Sequence, residues 1–96
     1  MPTLSDRPRF ALGNVVTTPG ADQLLRKHDH SFVRYIARHL HGDWGDVPPE
    51  DAQSNEDALE TGARLLSAYT LPDGEKLWLI TEADRSATTF LLPSEY

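Results

Sequence analysis

Apolar and polar positions alternate along the C-terminal third of the chain, and this period of two predicts β-strands. The alternation is clearest over residues 64–71, and the runs 76–82 and 87–92 are rich in β-branched and aromatic residues. Residues 71–75 form a turn, because Pro72 fixes φ and the Asp-Gly pair after it supplies the left-handed position. The three runs therefore predict an antiparallel meander.

In the first half of the chain, apolar residues recur at helical spacing, and two short helices are predicted there. Thr18 caps the first helix, the proline after it opens the helix, and the helix extends to residue 27 or 28. Ser31 caps the second helix, and Gly42 stops it. The predicted apolar face of the second helix consists of Phe32, Val33, Ile36 and Leu40.

A third predicted helix follows a Pro-Pro pair and is poor in apolar residues. It begins at Pro49, has acidic residues in its first turn and runs to Thr61, just before Gly62. The residues that can face a core are Ala52, Ala58 and Leu59. We therefore expect this helix to lie at the surface, with most of its outline in water.

The N-terminal part completes the predicted fold. Residues 10–17 combine an aromatic residue, two valines and a Gly-Asn kink, which favours a short edge strand interrupted near Gly13. Residues 1–9 are predicted to be a disordered tail. A chain of 96 residues can bury one core and no more. The predicted fold is a single α+β domain, residues 1–96, whose N-terminal edge strand and two to three short helices pack on a C-terminal antiparallel β-meander.

The composition favours a soluble, cytoplasmic protein. The longest unbroken apolar run is Leu77 to Ile80, whereas a membrane span needs roughly 20 such residues. The first residues have neither the basic region nor the apolar core of a signal peptide. The chain has no cysteine, so a disulfide framework and a thiolate zinc site are excluded.

Charge is distributed unevenly along the chain, which has a formal net charge of -6. Residues 1–42 hold six Lys/Arg and three acids, whereas residues 43–96 hold three Lys/Arg and twelve acids. No basic residue lies between Arg38 and Arg64. This acidic segment is either a surface for a basic protein partner or a solvated helix face. The candidate partner-binding residues are Asp43, Trp44, Asp46, Glu50, Asp51, Glu56, Asp57 and Glu60.

The most unusual stretch of the chain is residues 42–46, in which Trp44 lies between two Gly-Asp elements. Small domains use a tryptophan to close the space between helix and sheet, which favours a core position. An exposed aromatic residue surrounded by acids would instead be a hot spot for a basic partner. Both interpretations are compatible with the sequence.

Four histidines, His28, His30, His39 and His41, lie close together in the sequence and raise the question of a metal site. The last two end the second helix, where residues two positions apart point about 200° from each other. This spacing is unsuited to chelation. The helix C-terminus favours a partly cationic imidazole without any metal. We therefore expect no metal and no cofactor.

Motifs for nucleophilic catalysis and phosphate binding are absent from the sequence. One enzyme class remains as an alternative, a small metal-independent ribonuclease or toxin of barnase-like or RelE-like layout. Such an enzyme needs a base, a cation and hydrogen-bonding groups on an antiparallel sheet. The candidate catalytic set for this alternative is His39, Arg85, Thr88 and Tyr96. The acidity of the sheet half opposes it, because a ribonuclease benefits from a basic groove.

Several motifs give the chain a resemblance to one group of proteins. They are GDWGD at 42–46, Asn55, Gly62, RLLSAY at 64–69, LPDG at 71–74, ITEADRS at 80–86 and LLPSEY at 91–96. Through these motifs, roughly residues 10–96 resemble a family of short bacterial proteins labelled "plasmid related protein". Some members of that family carry the label of a type I restriction subunit. The resemblance implies carriage on plasmids and other mobile elements. It implies no activity, catalytic residue or cofactor.

The leading interpretation is a non-enzymatic, acidic protein-interaction module from a mobile element. Carboxylates along its surface could occupy a groove meant for phosphates and so inhibit a host nucleic-acid-handling or defence complex, in the manner of anti-CRISPR or antirestriction proteins. The alternatives are the ribonuclease and a homo-oligomeric accessory subunit, and a homodimer is compatible with each. We expect no direct binding to nucleic acid and none to membranes.

Overall fold

Three helices and four strands make up the part of the chain that this computed structural model describes, residues 8–28 and 32–96. The strands are β1 (Asn14–Thr17), β2 (Leu65–Thr70), β3 (Lys76–Thr81) and β4 (Ala87–Leu91). The helices are α1 (Pro19–Lys27), α2 (Phe32–Leu40) and α3 (Pro49–Thr61), and a 3-10 turn over Pro93–Glu95 follows β4. This architecture confirms the predicted α+β class. None of the described helices is long and apolar enough to cross a membrane.

The four strands form one sheet in the order β1-β4-β3-β2. The predicted meander is confirmed, because β2 pairs with β3 and β3 with β4, both antiparallel. β1 lies at the edge as predicted but pairs parallel to β4, which the sequence did not indicate. The strand begins only at Asn14, later than predicted. Gly13 has φ +65°, and a Cβ there would lie 2.3 Å from the carbonyl of Ser86.

Side chains alternate between the two faces of the sheet, and one face carries most of the core. α1 and α2 pack on this face, where Tyr69, Leu79 and Phe90 are almost fully buried. α1 begins with the predicted Thr18 cap, whose hydroxyl accepts the N–H of Ala21 at 3.2 Å. The two helices thus close the central part of the sheet.

α3 has the predicted bounds and ends at Gly62, which has φ +79°. It packs beside β2 in a second, smaller core formed by Trp44, Ala58 and Leu65, against which Phe10, Val47, Ala52 and Leu59 are partly buried. The three residues predicted to face a core all do so. Asn55 is buried as well, at 4% exposure, and the pattern of apolar positions did not predict its burial.

The predicted apolar face of α2 is wrong in part. Phe32 and Val33 are 50% and 58% exposed, whereas Tyr35 and His39 are buried. The helix is rotated relative to the apolar stripe because the imidazole of His39 finds hydroxyl partners on the sheet and the ring of Tyr35 packs against Tyr69 at 5.5 Å. The predicted cap, Ser31, lies outside the described residues.

Residues 1–7 of the predicted N-terminal tail also lie outside the described part of the chain. Arg9, assigned to the tail, makes specific contacts. Its N–H donates to the carbonyl of Leu40 at 2.9 Å, and its guanidinium pairs with Glu56. Specific contacts are therefore made by a residue that the sequence analysis assigned to the tail.

Candidate functional site

A buried polar network joins α2 to the sheet. The Nδ1 atom of His39 lies 2.5 Å from Ser67 Oγ, and its Nε2 atom lies 2.8 Å from Thr81 Oγ1. Thr81 Oγ1 is 2.8 Å from Thr88 Oγ1, and the Thr88 hydroxyl donates to the carbonyl of Leu12 at 2.9 Å. All four side chains are fully buried. The network therefore connects a helix, three strands and the segment before β1.

Burial, together with the positive charge of Arg85, lowers the pKa of His39 to about 4. At neutral pH the imidazole is uncharged, so one ring nitrogen donates a hydrogen bond and the other accepts one. A neutral histidine with both nitrogens engaged satisfies the buried hydroxyls of Ser67 and Thr81. With no exposed atom at His39, this arrangement supports packing rather than contact with a substrate.

The four candidate catalytic residues are not brought together into one site. Thr88 reaches His39 only through the buried Thr81 hydroxyl. Tyr96 packs on Trp78 with ring centroids 5.6 Å apart. Because Trp78 and Thr81 are three residues apart on β3, they lie on opposite faces of the sheet. Tyr96 and His39 are therefore separated by the sheet itself.

Arg85 has a structural position in the turn between β3 and β4. Its guanidinium donates to the carbonyls of Ala63 at 2.6 Å, Ala58 at 3.1 Å and Glu82 at 3.1 Å. The Ala58 carbonyl lies in the last turn of α3, where it also accepts the N–H of Gly62, and the Ala63 carbonyl lies just beyond the helix. Arg85 adopts φ 59°, a value that L-residues rarely take. It holds the end of α3 against the sheet.

Trp44, a candidate contact residue, lies in the core. It is 6% exposed, and its ring packs near Phe10 and His39. Its Nε1–H donates to Glu56 Oε2 at 2.9 Å. The alternative of an exposed hot spot is therefore wrong. Glu56, another candidate, is also bound to Arg9, and the hydrogen bonds from Arg9 and then Trp44 lower its pKa.

Asp43 and Asp46 stabilise the loop that carries Trp44. Asp43 pairs with Arg38 at 2.7 Å, which lowers the pKa of the carboxyl. Asp46 accepts a short hydrogen bond from Thr70 and lies 3.9 Å from the ammonium of Lys76. These two acids are half-exposed but already have partners within the chain.

The same loop covers the outer edge of β2. The N–H of Ala68 donates to the carbonyl of Trp44 at 3.0 Å, and the N–H of Asp46 donates to the carbonyl of Ala68 at 2.6 Å. Two residues earlier along β2, the side chain of Asn55 binds both main-chain groups of Leu66. The edge of β2 is therefore occupied by the chain itself.

The remaining four candidates form the outer carboxylates of α3, namely Glu50, Asp51, Asp57 and Glu60. All four are exposed. Within residues 8–28 and 32–96, none of them forms an ion pair with a basic side chain. Asp57 accepts a hydrogen bond from Gln53 at 3.0 Å. Of the predicted partner surface, this group is the part that the structure leaves available.

Three groups that can ligate a metal meet where α1 ends beside the β2–β3 turn. His28 Nε2 lies 2.7 Å from Asp73 Oδ2 and 3.6 Å from Glu75 Oε2. The Nζ atom of Lys27 is 3.8 Å and 3.5 Å from the same two carboxylates. The N–H of Glu75 and then the His28 ring hold the pKa of Asp73 down to about 2. The lysine ammonium already lies within ion-pair distance of both carboxylates, which is the arrangement of an ion-pair network.

Some of these contacts had a signal in the sequence and others had none. Ser67 lies at an inward position of the alternating run, so its burial was predictable, but its partner was not. Asn55 lies in a polar stretch whose pattern did not indicate that the side chain is buried.

Comparisons with models of known protein families, with curated proteins and with solved structures find no match to this chain.

Proposed function

We propose that this protein is a non-enzymatic interaction module that binds a basic protein surface through the outer carboxylates of α3. As a module carried by a mobile element, it inhibits a host complex that handles nucleic acid. The physical basis is that carboxylates spaced along a helix can occupy a groove whose basic residues otherwise bind phosphates.

The observation that carries this proposal is the position of Glu60 in the last turn of α3, with Asp57 one turn before it. A helix has its partial negative charge at this end, so a carboxylate there lowers stability by about 0.3–1 kcal/mol. The last turn of α3 contains no basic residue. The helix dipole stabilises the carboxylates of Glu50 and Asp51 in the first turn, but it destabilises that of Glu60. Binding to a partner accounts for all of them.

The geometry of α3 suits an extended contact. At a rise of about 1.5 Å per residue, Glu50 and Glu60 are separated by roughly 15 Å along the helix axis. Glu50, Asp57 and Glu60 fall on one side of the helix, away from Ala58 and Leu59. A basic groove can therefore approach them without disturbing the packing of α3 on β2.

The test compares two triple variants with the same change in net charge. One carries Glu50→Gln, Asp57→Asn and Glu60→Gln; the matched control carries Asp22→Asn, Glu75→Gln and Glu82→Gln, away from α3. Partners captured from host-cell lysate by the wild-type protein are identified, purified and titrated with each variant. We expect the α3 variant to bind about tenfold more weakly, since three surface pairs contribute roughly 0.5 kcal/mol each.

The control variant should bind as the wild type does, and the affinity of the wild type should fall as salt rises. Duplex DNA and RNA should not bind at physiological salt, because the acidic half repels phosphates. The proposal is wrong if the captured partner binds all three proteins equally and ignores the salt concentration.

A further inference from the structure

The two edges of the sheet differ in how they are protected. The outer edge of β2 is closed by the Trp44 loop and by Asn55, as described above. At the other edge, β1 pairs with β4 on one side only, and within the described residues no strand pairs with its outer side. All four residues of β1 are exposed. An unpaired strand edge is a template for another strand.

The main-chain groups of β1 that point outward can be assigned. The N–H of Asn14 donates to the carbonyl of Ser86 and the N–H of Thr18 to that of Phe90, both at 3.0 Å. In a parallel pair, alternate residues bond to the same neighbour, so residues 14, 16 and 18 face β4. Val15 and Thr17 therefore present their N–H and C=O groups to the outside.

The side chains of β1 do nothing to block this edge. Natural edge strands are protected by charged residues, prolines or bulges, whereas β1 reads Asn-Val-Val-Thr. Val15 and Val16 are 40% and 47% exposed. The strand is short, but both of its central residues are apolar and β-branched.

An open groove of about 540 Å³ runs beside β1 on the face of the sheet that carries α1. Most of its lining is apolar and includes Leu25, Phe32 and Phe90. Its two charged groups, Asp22 and Arg26, pair with each other at 2.9 Å. The groove is therefore mostly apolar and its lining has no net charge, which favours an uncharged occupant.

We infer that β1 pairs antiparallel with β1 of a second copy of this chain, so that two four-stranded sheets join into one of eight strands. Val16 lies on the twofold axis, opposite Val16 of the second copy. Val15 then faces Thr17 of the other copy, and each such pair exchanges two hydrogen bonds, four in all. The grooves of the two copies face each other across the axis and close over apolar side chains.

Charge complementarity favours a second copy as the occupant. The edge segment, residues 13–18, has no charged side chain. With the twofold axis at Val16, the Asp22–Arg26 pair of one copy lies near the same pair of the other copy. Each copy then contributes one acidic and one basic side chain to the interface. The acidic helix α3 packs against β2, the strand farthest from β1 in the sheet order. The repulsion between two chains of net charge -6 is therefore concentrated away from the axis.

The experiment measures the mass in solution of the wild type and three variants by analytical ultracentrifugation over a wide concentration range. Val15→Pro removes an outward N–H without removing a bond to β4, and proline is tolerated at strand edges. Val16→Lys places two like charges at the axis. Gln23→Lys, on an exposed position of α1, is the matched charge control.

We expect the wild type to shift from the 10.7 kDa monomer toward twice that mass as concentration rises. Val15→Pro should weaken association at least about tenfold because the dimer loses the hydrogen bond donated by Val15 in each copy, and Val16→Lys should weaken it to a similar extent because two like charges meet at the axis. Gln23→Lys should dimerise like the wild type. A wild type that stays monomeric throughout, or two edge variants that dimerise normally, would overturn the inference.

A cysteine cross-link tests the register directly, because the chain has no cysteine of its own. Directly opposed residues of a non-hydrogen-bonded antiparallel pair have Cα atoms about 4.5 Å apart, within disulfide range. Under mild oxidation, Val16→Cys should form a covalent dimer far faster than Gln23→Cys. Equal rates for the two variants would show that Val16 does not lie on the axis.

Discussion

The side-chain amide of Asn55 binds the main chain of Leu66 as a neighbouring strand would. Its Nδ2 donates to the carbonyl of Leu66 at 2.7 Å, and its Oδ1 accepts the N–H of Leu66 at 3.1 Å. A helix side chain thus takes the place of a strand at the edge of β2. This pair of bonds fixes α3 against the sheet and keeps that edge closed to other chains.

Loss of the Asn55 amide should destabilise the fold measurably. We expect Asn55→Ala to lower the free energy of unfolding by roughly 2–4 kcal/mol, because two partly buried main-chain groups lose their partner. Asn55→Asp is the sharper variant, since it keeps an acceptor but sets a carboxylate against the Leu66 carbonyl. Urea unfolding checks both variants. An Asn55→Asp protein as stable as the wild type would contradict the assigned hydrogen bonds.

The free energy of unfolding should decrease as the pH is lowered through the range in which His39 titrates. The folded protein keeps His39 neutral down to a pKa of about 4, whereas the unfolded chain takes up the proton near 6.5. Between these values the unfolded state binds more protons, so the free energy of unfolding decreases as pH decreases. The expected total is roughly 3 kcal/mol, about 1.4 kcal/mol per pH unit.

The control for this pH dependence is His39→Gln, whose amide can both donate to and accept from the hydroxyls of Ser67 and Thr81 but does not titrate. Chemical unfolding of both proteins between pH 7 and pH 4 should give a shallower slope for the variant. If the two slopes agree, some other group causes the pH dependence.

Two glycines with similar backbone conformations should respond differently to alanine. Gly45 and Gly62 have φ +75° and +79°, so each substitution incurs about 1–2 kcal/mol of left-handed strain. A Cβ at Gly45 would also lie 2.0 Å from the carbonyl oxygen of Ala68, whereas nothing lies within 4 Å at Gly62. Thermal unfolding should therefore show a loss at Gly45→Ala that exceeds the loss at Gly62→Ala by roughly 1–3 kcal/mol. Similar melting temperatures for the two variants would mean that the Trp44 loop does not approach β2 this closely.

Trp44 should contribute to stability mainly through its ring. Trp44→Ala is expected to cost about 3–5 kcal/mol, enough to unfold a marginal domain. Trp44→Phe keeps much of the ring but loses the hydrogen bond to Glu56, so a smaller loss is expected. Circular dichroism and urea titration distinguish the two. Unchanged stability of Trp44→Ala would place the ring outside the core.

Local signals in the sequence determined a large part of the fold. The caps and breakers at Thr18, Pro49 and Gly62 act within one turn of the residues they order, and the alternation over 64–71 reports which side chains share a face of the strand. Prediction of α1, α3 and the meander succeeded because each signal lies inside or next to the element that it defines. The concentration of carboxylates on α3 could be read in the same way.

Contacts between distant segments were decided only by the tertiary structure. His39 meets Ser67 and Thr81 across 28 and 42 residues, and this contact rotates α2 away from its apolar stripe. β1 aligns parallel to β4 across most of the chain, and Trp44 enters the core although both of its environments were compatible with the sequence. Such pairings depend on which buried polar groups find partners and which surfaces fit, and local periodicity carries no information about either.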